Sequence, residues 1–189
     1  MVYKLSFNHA KYLNLNIDMK TLQSVIGGKI GRREFFDYRR DNRPLKPFWE
    51  DVGAEFVEVG GEGMHAPDII LWNATALVLS EKAYSALSSH LEPFGEFLPI
   101  TVEDERYLVF NCLNVVSVDL EKSQADIVDG IWLGVKSIAF ARPEIDENLI
   151  FKSEFDRCGA LYCGGSFKDL VAQSNFKGLL FNEDLTSGL

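Results

Sequence analysis

The spacing of apolar and polar residues along the chain predicts a fold rich in β-structure. Apolar residues occupy alternate positions in Val2–Phe7 and Glu55–Val59, which is the period of a strand with one buried face. In Asp68–Trp72 they are consecutive, which indicates a strand covered on both faces. Phe97–Val102 and Tyr107–Cys112 flank an acidic turn and predict a hairpin. Further short strands are predicted at Val115–Asp119, Val135–Phe140, Leu149–Phe155 and Leu179–Phe181.

Other segments show the spacing and end signals of amphipathic helices. Asp18 is placed to cap a short helix that stops at Gly27, and Ser80 is placed to cap a longer helix that ends near Leu91. Ser166 and Asp169 have the spacing of a capping box, in which each side chain reaches the other's unpaired backbone N–H. Because strands outnumber helices and mostly join through short turns, we expect an α+β fold. It should contain a mainly antiparallel sheet with two or three helices packed on it.

Charge divides the chain into two parts. Residues 1–49 contain 10 Lys and Arg against 4 Asp and Glu, whereas residues 50–189 contain 9 against 24. Opposite charge favours packing of one part on the other. We therefore expect a basic, strand-rich N-terminal extension, residues 1–60, packed on an acidic α+β body, residues 61–189, as one compact unit.

Composition and charge also argue against two classes of partner, nucleic acids and membranes. Residues 29–50 are basic and aromatic and predict an irregular excursion with one strand at Glu34–Arg39, but the acidic excess elsewhere opposes direct nucleic-acid binding. No apolar run approaches the roughly 20 residues that a membrane-spanning helix needs. The residues Met1–His9 lack the apolar core of a signal peptide. We therefore expect a cytoplasmic protein without direct nucleic-acid or membrane contact.

Candidate catalytic and metal-binding residues are few. His65 and Asp68 have the spacing of a base oriented by a carboxylate, and Cys158 or Cys163 would supply a thiol nucleophile. No cysteine-nucleophile signature surrounds either thiol, and the glycines after Cys163 are explained by a turn alone. The cysteines and histidines also lack metal-ligand spacing, so we expect no enzyme activity, no metal and no other cofactor.

The C-terminal run Leu149–Phe181 carries the most specific pattern in the chain. It reads, in order, apolar-Phe, Phe-Asp, Gly, Phe-Lys-x-Leu-Val and Gly-Leu-x-Phe. This order resembles the C-terminal signature of a family of bacterial immunity proteins that accompany secreted polymorphic toxins, the immunity-protein-eleven family, formerly a domain of unknown function. The middle of that family is similar to Pro67–Ile69, Leu77–Lys82, Gly95–Ile100 and Tyr107–Leu120.

The resemblance implies a non-catalytic protein of interbacterial competition that binds a cognate toxin and occludes its active site. Acidic loops facing a basic toxin cleft fit this scheme, because opposite charges raise the association rate and select the partner. Two alternatives stay open: an adaptor or interaction module of a secretion or defence locus, and an unrecognised Cys/His-dependent hydrolase. The predicted contact residues lie in two acidic turns and are Glu103, Asp104, Glu105, Glu144, Asp146 and Glu147.

Overall fold

Antiparallel sheet dominates the structure. The computed structural model describes residues 1–27, 41–59 and 65–187, and these ranges contain twelve strands in three sheets and four short helices. The expected α+β class and the mainly antiparallel pairing are confirmed. The fold is richer in β-structure than predicted, and its described helices number four rather than two or three.

In the described ranges, twelve short strands are interspersed with four helices. The strands are β1 (Val2–Phe7), β2 (Asn14–Asn16), β3 (Val52–Val57), β4 (Ile69–Trp72), β5 (Ala76–Ser80), β6 (Gly95–Val102), β7 (Glu105–Cys112), β8 (Gln124–Val128), β9 (Ile131–Ser137), β10 (Ile150–Phe151), β11 (Tyr162–Gly164) and β12 (Leu179–Asn182). The helices are α1 (Met19–Leu22), which continues as a π-helical turn over Gln23–Gly27, α2 (Glu81–Leu91), α3 (Arg142–Glu147) and α4 (Gly165–Gln173). Within the described ranges, none of these helices is long and apolar enough to cross a membrane.

The largest sheet has six strands in the order β2-β3-β6-β7-β5-β4. Its centre is the predicted hairpin of β6 and β7, and only the β3–β6 pair is parallel. The two edges of the sheet approach each other. The backbone N–H of Leu13 donates to the His65 carbonyl at 3.1 Å, and β2 contacts β4. The sheet therefore curls towards a barrel.

The second sheet has four strands in the order β10-β11-β1-β12. The N-terminal strand β1 lies inside this sheet and pairs antiparallel with β11 on one side and β12 on the other. Residues 1–60 are predicted to form a strand-rich extension packed on the body. Among the described residues of this range, β1 belongs to the four-stranded sheet, and β2 and β3 belong to the six-stranded sheet.

Both faces of the six-stranded sheet are buried. In β5, Val78 enters the apolar cluster inside the curled sheet, whereas Leu77 enters the cluster between this sheet, α2, α4 and the four-stranded sheet. In β4, Ile70 enters the cluster inside the curled sheet and Ile69 enters the other cluster, and both are fully buried. Burial of one such side chain contributes about 2 kcal/mol. The consecutive apolar residues predicted to mark a strand covered on both faces are thus confirmed.

The helix ends confirm two predicted caps and correct a third. The Asp18 carboxylate accepts the backbone N–H of Thr21 at 3.0 Å and caps α1, as predicted. The Ser80 hydroxyl accepts the backbone N–H of Ala83 at 3.2 Å and caps α2, as predicted. Helix α4 begins at Gly165, with no side-chain cap, so Ser166 lies inside its first turn and the predicted capping box is wrong. The reason is tertiary: β11 stays paired with β1 as far as Gly164, and the chain passes from strand to helix without a turn.

Three other segments have a secondary structure that differs from the prediction. Val115–Asp119 forms only one parallel bridge, from Val115 to Lys152, because the Asp119 N–H donates to the Ala139 carbonyl instead. Most of the predicted acidic turn at 143–148 is helix α3, and the strand predicted over 149–155 is limited to β10. The predicted strand at Glu34–Arg39 lies outside the described residues.

Candidate partner-binding surface

A hairpin that was not predicted forms the third sheet. β8 and β9 pair only with each other and are joined by the turn Asp129-Gly130. Both turn residues have left-handed backbone conformations, with φ of 51° and 78°. This geometry matches the right-handed twist of paired strands, and it favours an Asp-Gly turn because Gly has no Cβ.

The hairpin holds large apolar side chains in solvent. The exposed fractions are 58% for Ile127, 50% for Val128, 64% for Ile131 and 59% for Leu133. Leu120, four residues before β8, is 77% exposed. Single exposed apolar residues are ordinary, whereas several on one short hairpin indicate an interaction site. We call these five residues the hairpin surface.

The pairing register assigns the apolar side chains to two faces. Val128 lies opposite Ile131 next to the turn, and Ile127 lies opposite Trp132. Opposed residues of an antiparallel pair project to the same face, so these pairs lie on opposite faces of the hairpin. Leu133, two residues after Ile131, extends the Val128–Ile131 face.

The base of the hairpin is fixed to the rest of the protein. The Arg157 guanidinium lies 4.4 Å from the centroid of the Trp132 ring, which is a cation–π contact. The Ala139 N–H donates to the Ser123 hydroxyl at 3.0 Å. Val135 packs against an apolar cluster that includes Val116, Ile138, Phe151, Ala160 and Tyr162. Val135 and Ala139 therefore hold the base in place, and Arg157 contacts Trp132 nearer the turn, while Ile127, Val128, Ile131 and Leu133 remain exposed.

A shallow groove of about 340 Å³ adjoins the hairpin base. One wall is the irregular segment from Val115 to Leu120, and the other is the short segment 153–155. Val118 and Phe155 give the groove an apolar floor, because both pack against the cluster under the hairpin base. Leu120 lines the groove and belongs to the hairpin surface, so the groove extends that surface.

Carboxylates surround the hairpin surface. Its two lysines are already paired, Lys136 with Asp126 at 3.0 Å and Lys122 with Asp119 at 2.6 Å. The hydrogen bond from Lys122 holds the pKa of Asp119 below its usual value. The Arg157 guanidinium over Trp132 is a further cation in this region, and several carboxylates remain beyond these pairs. Those with no ion pair among the described residues are Glu121, Asp129 and Glu154.

The first predicted contact segment is the turn between β6 and β7. Glu103 and Asp104 form this turn in left-handed conformations, with φ of 51° and 69°, and Glu105 begins β7. All three are exposed. The turn is therefore an accessible acidic tip, as expected from the sequence.

The second predicted contact segment lies on α3, where Asp146 and Glu147 are exposed. Glu144 is in the same helix, and its side chain lies outside the described residues. Asn114, just past β7, donates to the Asn148 side chain at 2.7 Å and so places α3 near the end of β7. The tip lies at the start of β7, and eight residues of strand extend roughly 26 Å. The structure therefore does not bring the two acidic segments together.

The residues considered for hydrolase chemistry differ in their exposure to solvent. His65 is exposed, whereas Cys158 and Cys163 are buried. Burial raises the pKa of both thiols, which opposes formation of a nucleophilic thiolate. The Asp68 carboxylate accepts the backbone N–H of Lys177 at 2.9 Å. No group of three or more His, Cys, Asp or Glu side chains in the described ranges could hold a metal ion.

A larger cleft, of about 640 Å³, lies where β1, β2 and α1 meet. Lys4 lies on its wall, and Trp72 and Leu22 contribute apolar surface. The Lys4 ammonium donates to the Ser187 carbonyl at 2.6 Å, so the chain itself already engages this charge. The hairpin surface is a stronger candidate site, because its apolar side chains are uncovered.

The sequence contains one signal for the hairpin. Asp129-Gly130 stands between Ile127-Val128 and Ile131-Trp132, and Asp-Gly between β-forming residues is typical of a two-residue hairpin turn. Exposure of the neighbouring apolar residues has no local signal, because it depends on which elements pack against the hairpin.

No protein-family model matches the chain, and no curated protein matches it significantly.

Proposed function

We propose that this protein is a non-catalytic immunity protein that binds a cognate secreted bacterial toxin and neutralises it by occluding its active site. The observation that carries the proposal is the hairpin surface. Apolar side chains left in water forgo roughly 25 cal/mol per Å² of stabilisation, and a bound partner would recover it. Such a patch on a protein surface is typical of a protein-binding site.

The arrangement of the surface fits tight protein binding. Interface cores are apolar and their rims polar, and the hairpin surface is an apolar patch with carboxylates around it. A nanomolar complex requires about −12 kcal/mol and an interface of about 800 Å² on each partner. The groove beside the hairpin base supplies further apolar area for an interface of that size.

Charge favours a basic partner. Residues 50–189 contain 24 Asp and Glu against 9 Lys and Arg, and unpaired carboxylates lie around the hairpin. We infer a toxin with a basic cleft, whose approach the acidic surface would accelerate. The proposed site of action is the cytoplasm, where the protein is expected to reside.

The family resemblance and the hairpin bear on different parts of this proposal. In the C-terminal run that carries the resemblance, Phe167 and Val171 are buried in the core, and Leu179 and Phe181 pack against it. These residues build the fold rather than a contact surface. Recognition of the toxin is therefore assigned to the hairpin surface, with the acidic segments in a supporting role.

Co-expression with the product of the adjacent gene tests the proposal. We expect this protein to restore growth of cells that produce the neighbouring toxin and to co-purify with an inactive form of it. An unrelated acidic protein of similar size is the control. Growth inhibition that persists despite a stable complex would favour an adaptor instead, and a toxin that is neither bound nor neutralised would refute the proposal.

A further inference from the structure

The outer edge of β8 is an unpaired strand edge. β8 and β9 form a sheet of their own, and no third strand of the described residues joins it. The side of β9 is in contact with the 3-10 turn Glu154–Asp156, and the Arg157 guanidinium lies over Trp132. On β8, Gln124, Ile127 and Val128 are exposed. The β9 edge of the hairpin is therefore in contact with the rest of the protein, whereas the β8 edge faces solvent.

The irregularities of the hairpin lie on β9. Ile127 pairs with Trp132 and Asp126 with Gly134, which leaves Leu133 as an extra residue on β9. Ala125 pairs with Val135 and Gln124 with Ser137, which leaves Lys136 as a second extra residue on β9. Bulges on an exposed strand protect it from pairing with other chains. β8 has none, so its edge keeps the regular spacing that another strand requires.

The register indicates which backbone groups of β8 face outwards. Val128 and Ile131 flank a two-residue turn and form the hydrogen-bonded pair that closes it. Hydrogen-bonded and non-hydrogen-bonded pairs alternate along an antiparallel ladder, so the next pair, Ile127–Trp132, is not hydrogen-bonded. The N–H and C=O of Ile127 therefore point away from β9, towards the open edge.

We propose that the β8 edge binds an extended segment of the toxin as a third strand of this sheet, an inference that rests on the proposed immunity function. Backbone hydrogen bonds to β8 would supply affinity, and alternate side chains of the segment would supply specificity. Apolar residues of the segment pack on Ile127 or on Val128. Lysine or arginine residues of the segment face Glu121 and Asp129, which have no ion pair among the described residues.

Charge disfavours a second copy of this chain at the same edge. Each copy has a formal net charge of −9. Antiparallel pairing of two β8 edges would also place Asp126 and Asp129 of one copy close to the same residues of the other. Like charges opposed across strands are destabilising, whereas a basic strand relieves the repulsion.

The test combines backbone exchange with a proline substitution. In the complex with inactive toxin, we expect amide hydrogen exchange of residues 124–128 to slow at least tenfold relative to the unbound protein. Ile127→Pro removes an outward N–H, which an edge strand tolerates, and should weaken toxin binding by about 100-fold. Ile127→Ala keeps the N–H and loses only side-chain contact, so its binding should weaken by about tenfold or less. Circular dichroism of each unbound variant checks its fold.

The outcomes separate this inference from the proposed function. If the complex forms and neutralises the toxin while exchange of 124–128 is unchanged, strand addition is refuted and the immunity function stands. Equal binding of Ile127→Pro and Ile127→Ala refutes it in the same way. A dimer of this protein with protected β8 amides would make a second copy the occupant, and absence of any toxin complex would refute both proposals.

Discussion

At the scale of single residues, Asp156 is a buried carboxylate with one oxygen that lacks a hydrogen-bond partner among the described residues. Its Oδ2 accepts the Tyr162 hydroxyl at 2.9 Å, whereas its Oδ1 has no hydrogen-bond partner in the described structure. Burial raises the pKa of Asp156, because the ionised form loses hydration, and the hydrogen bond from Tyr162 and the nearby Lys4 offset part of this effect. Burial also raises the pKa of Tyr162. The ionised carboxylate therefore costs stability.

Because of this cost, we expect the free energy of unfolding to depend on pH through Asp156, and Asp156→Asn should remove that dependence. A carboxyl pKa that is higher in the folded than in the unfolded state means that the folded protein binds the proton more tightly. Stability from this group is then greatest below the unfolded pKa, about 3.9, and falls as the pH rises through the folded pKa. We expect urea unfolding to show wild type losing stability relative to Asp156→Asn across that window. Glu154→Gln, in the same turn but exposed, is the matched control, and a constant difference would contradict the prediction.

At the scale of elements, the β8–β9 hairpin divides into a packed base and an exposed end. Val135 packs on the core at the base, whereas Ile131 and Leu133, nearer the turn, extend into solvent. Trp132, between them, contacts Arg157. Packing of the base stabilises the fold. The exposed end contributes little to stability, so its apolar residues are available for binding.

Substitution at the exposed end should therefore separate binding from stability. We expect Leu133→Ser to change the free energy of unfolding by less than about 0.5 kcal/mol but to weaken toxin binding by more than about 1 kcal/mol. Leu180→Ser is the matched control, because Leu180 is an exposed leucine on β12, away from the hairpin. Calorimetric titration with inactive toxin measures the affinities. Equal effects of the two substitutions would remove the hairpin surface from the interface.

At the scale of the whole molecule, acidic groups lie on several separate parts of the surface. The tip at Glu103–Glu105 and the acidic residues of α3 lie at opposite ends of β7, and the hairpin base contacts the segment after Phe151. A single interface of ordinary size would therefore not include all of these acidic groups. In the proposed complex, acidic groups distant from the hairpin would act on a basic toxin through their long-range field.

Charge reversal at the tip should therefore change the rate of association rather than the bound state. We expect Glu103→Lys with Glu105→Lys to slow association several-fold at low salt and to leave dissociation nearly unchanged. The effect should disappear near 0.5 M salt, where the Debye length is only about 4 Å. Asp104 is kept, because its left-handed conformation suits Asp better than Lys. Stopped-flow kinetics provides the measurement, and a larger effect on dissociation would place the tip inside the interface.

The sequence by itself determined the elements whose signals lie within a few residues. β1, the β6–β7 hairpin and the capped helix α2 follow from apolar period, turn residues and a cap, and all are observed. These features depend on local backbone geometry and on one buried face. The mainly antiparallel class followed from the same patterns.

Only the tertiary structure decided the features that depend on distant neighbours. Pairing with β11 and β12 places β1 inside a sheet, and pairing of β11 with β1 moves the start of α4. Lys152 is buried and donates to the Asn42 side chain at 3.0 Å, a contact across 110 positions. The candidate site belongs to this group, because an apolar residue becomes a binding residue only where no other element covers it. That coverage is set by packing of the whole chain and is absent from any local pattern.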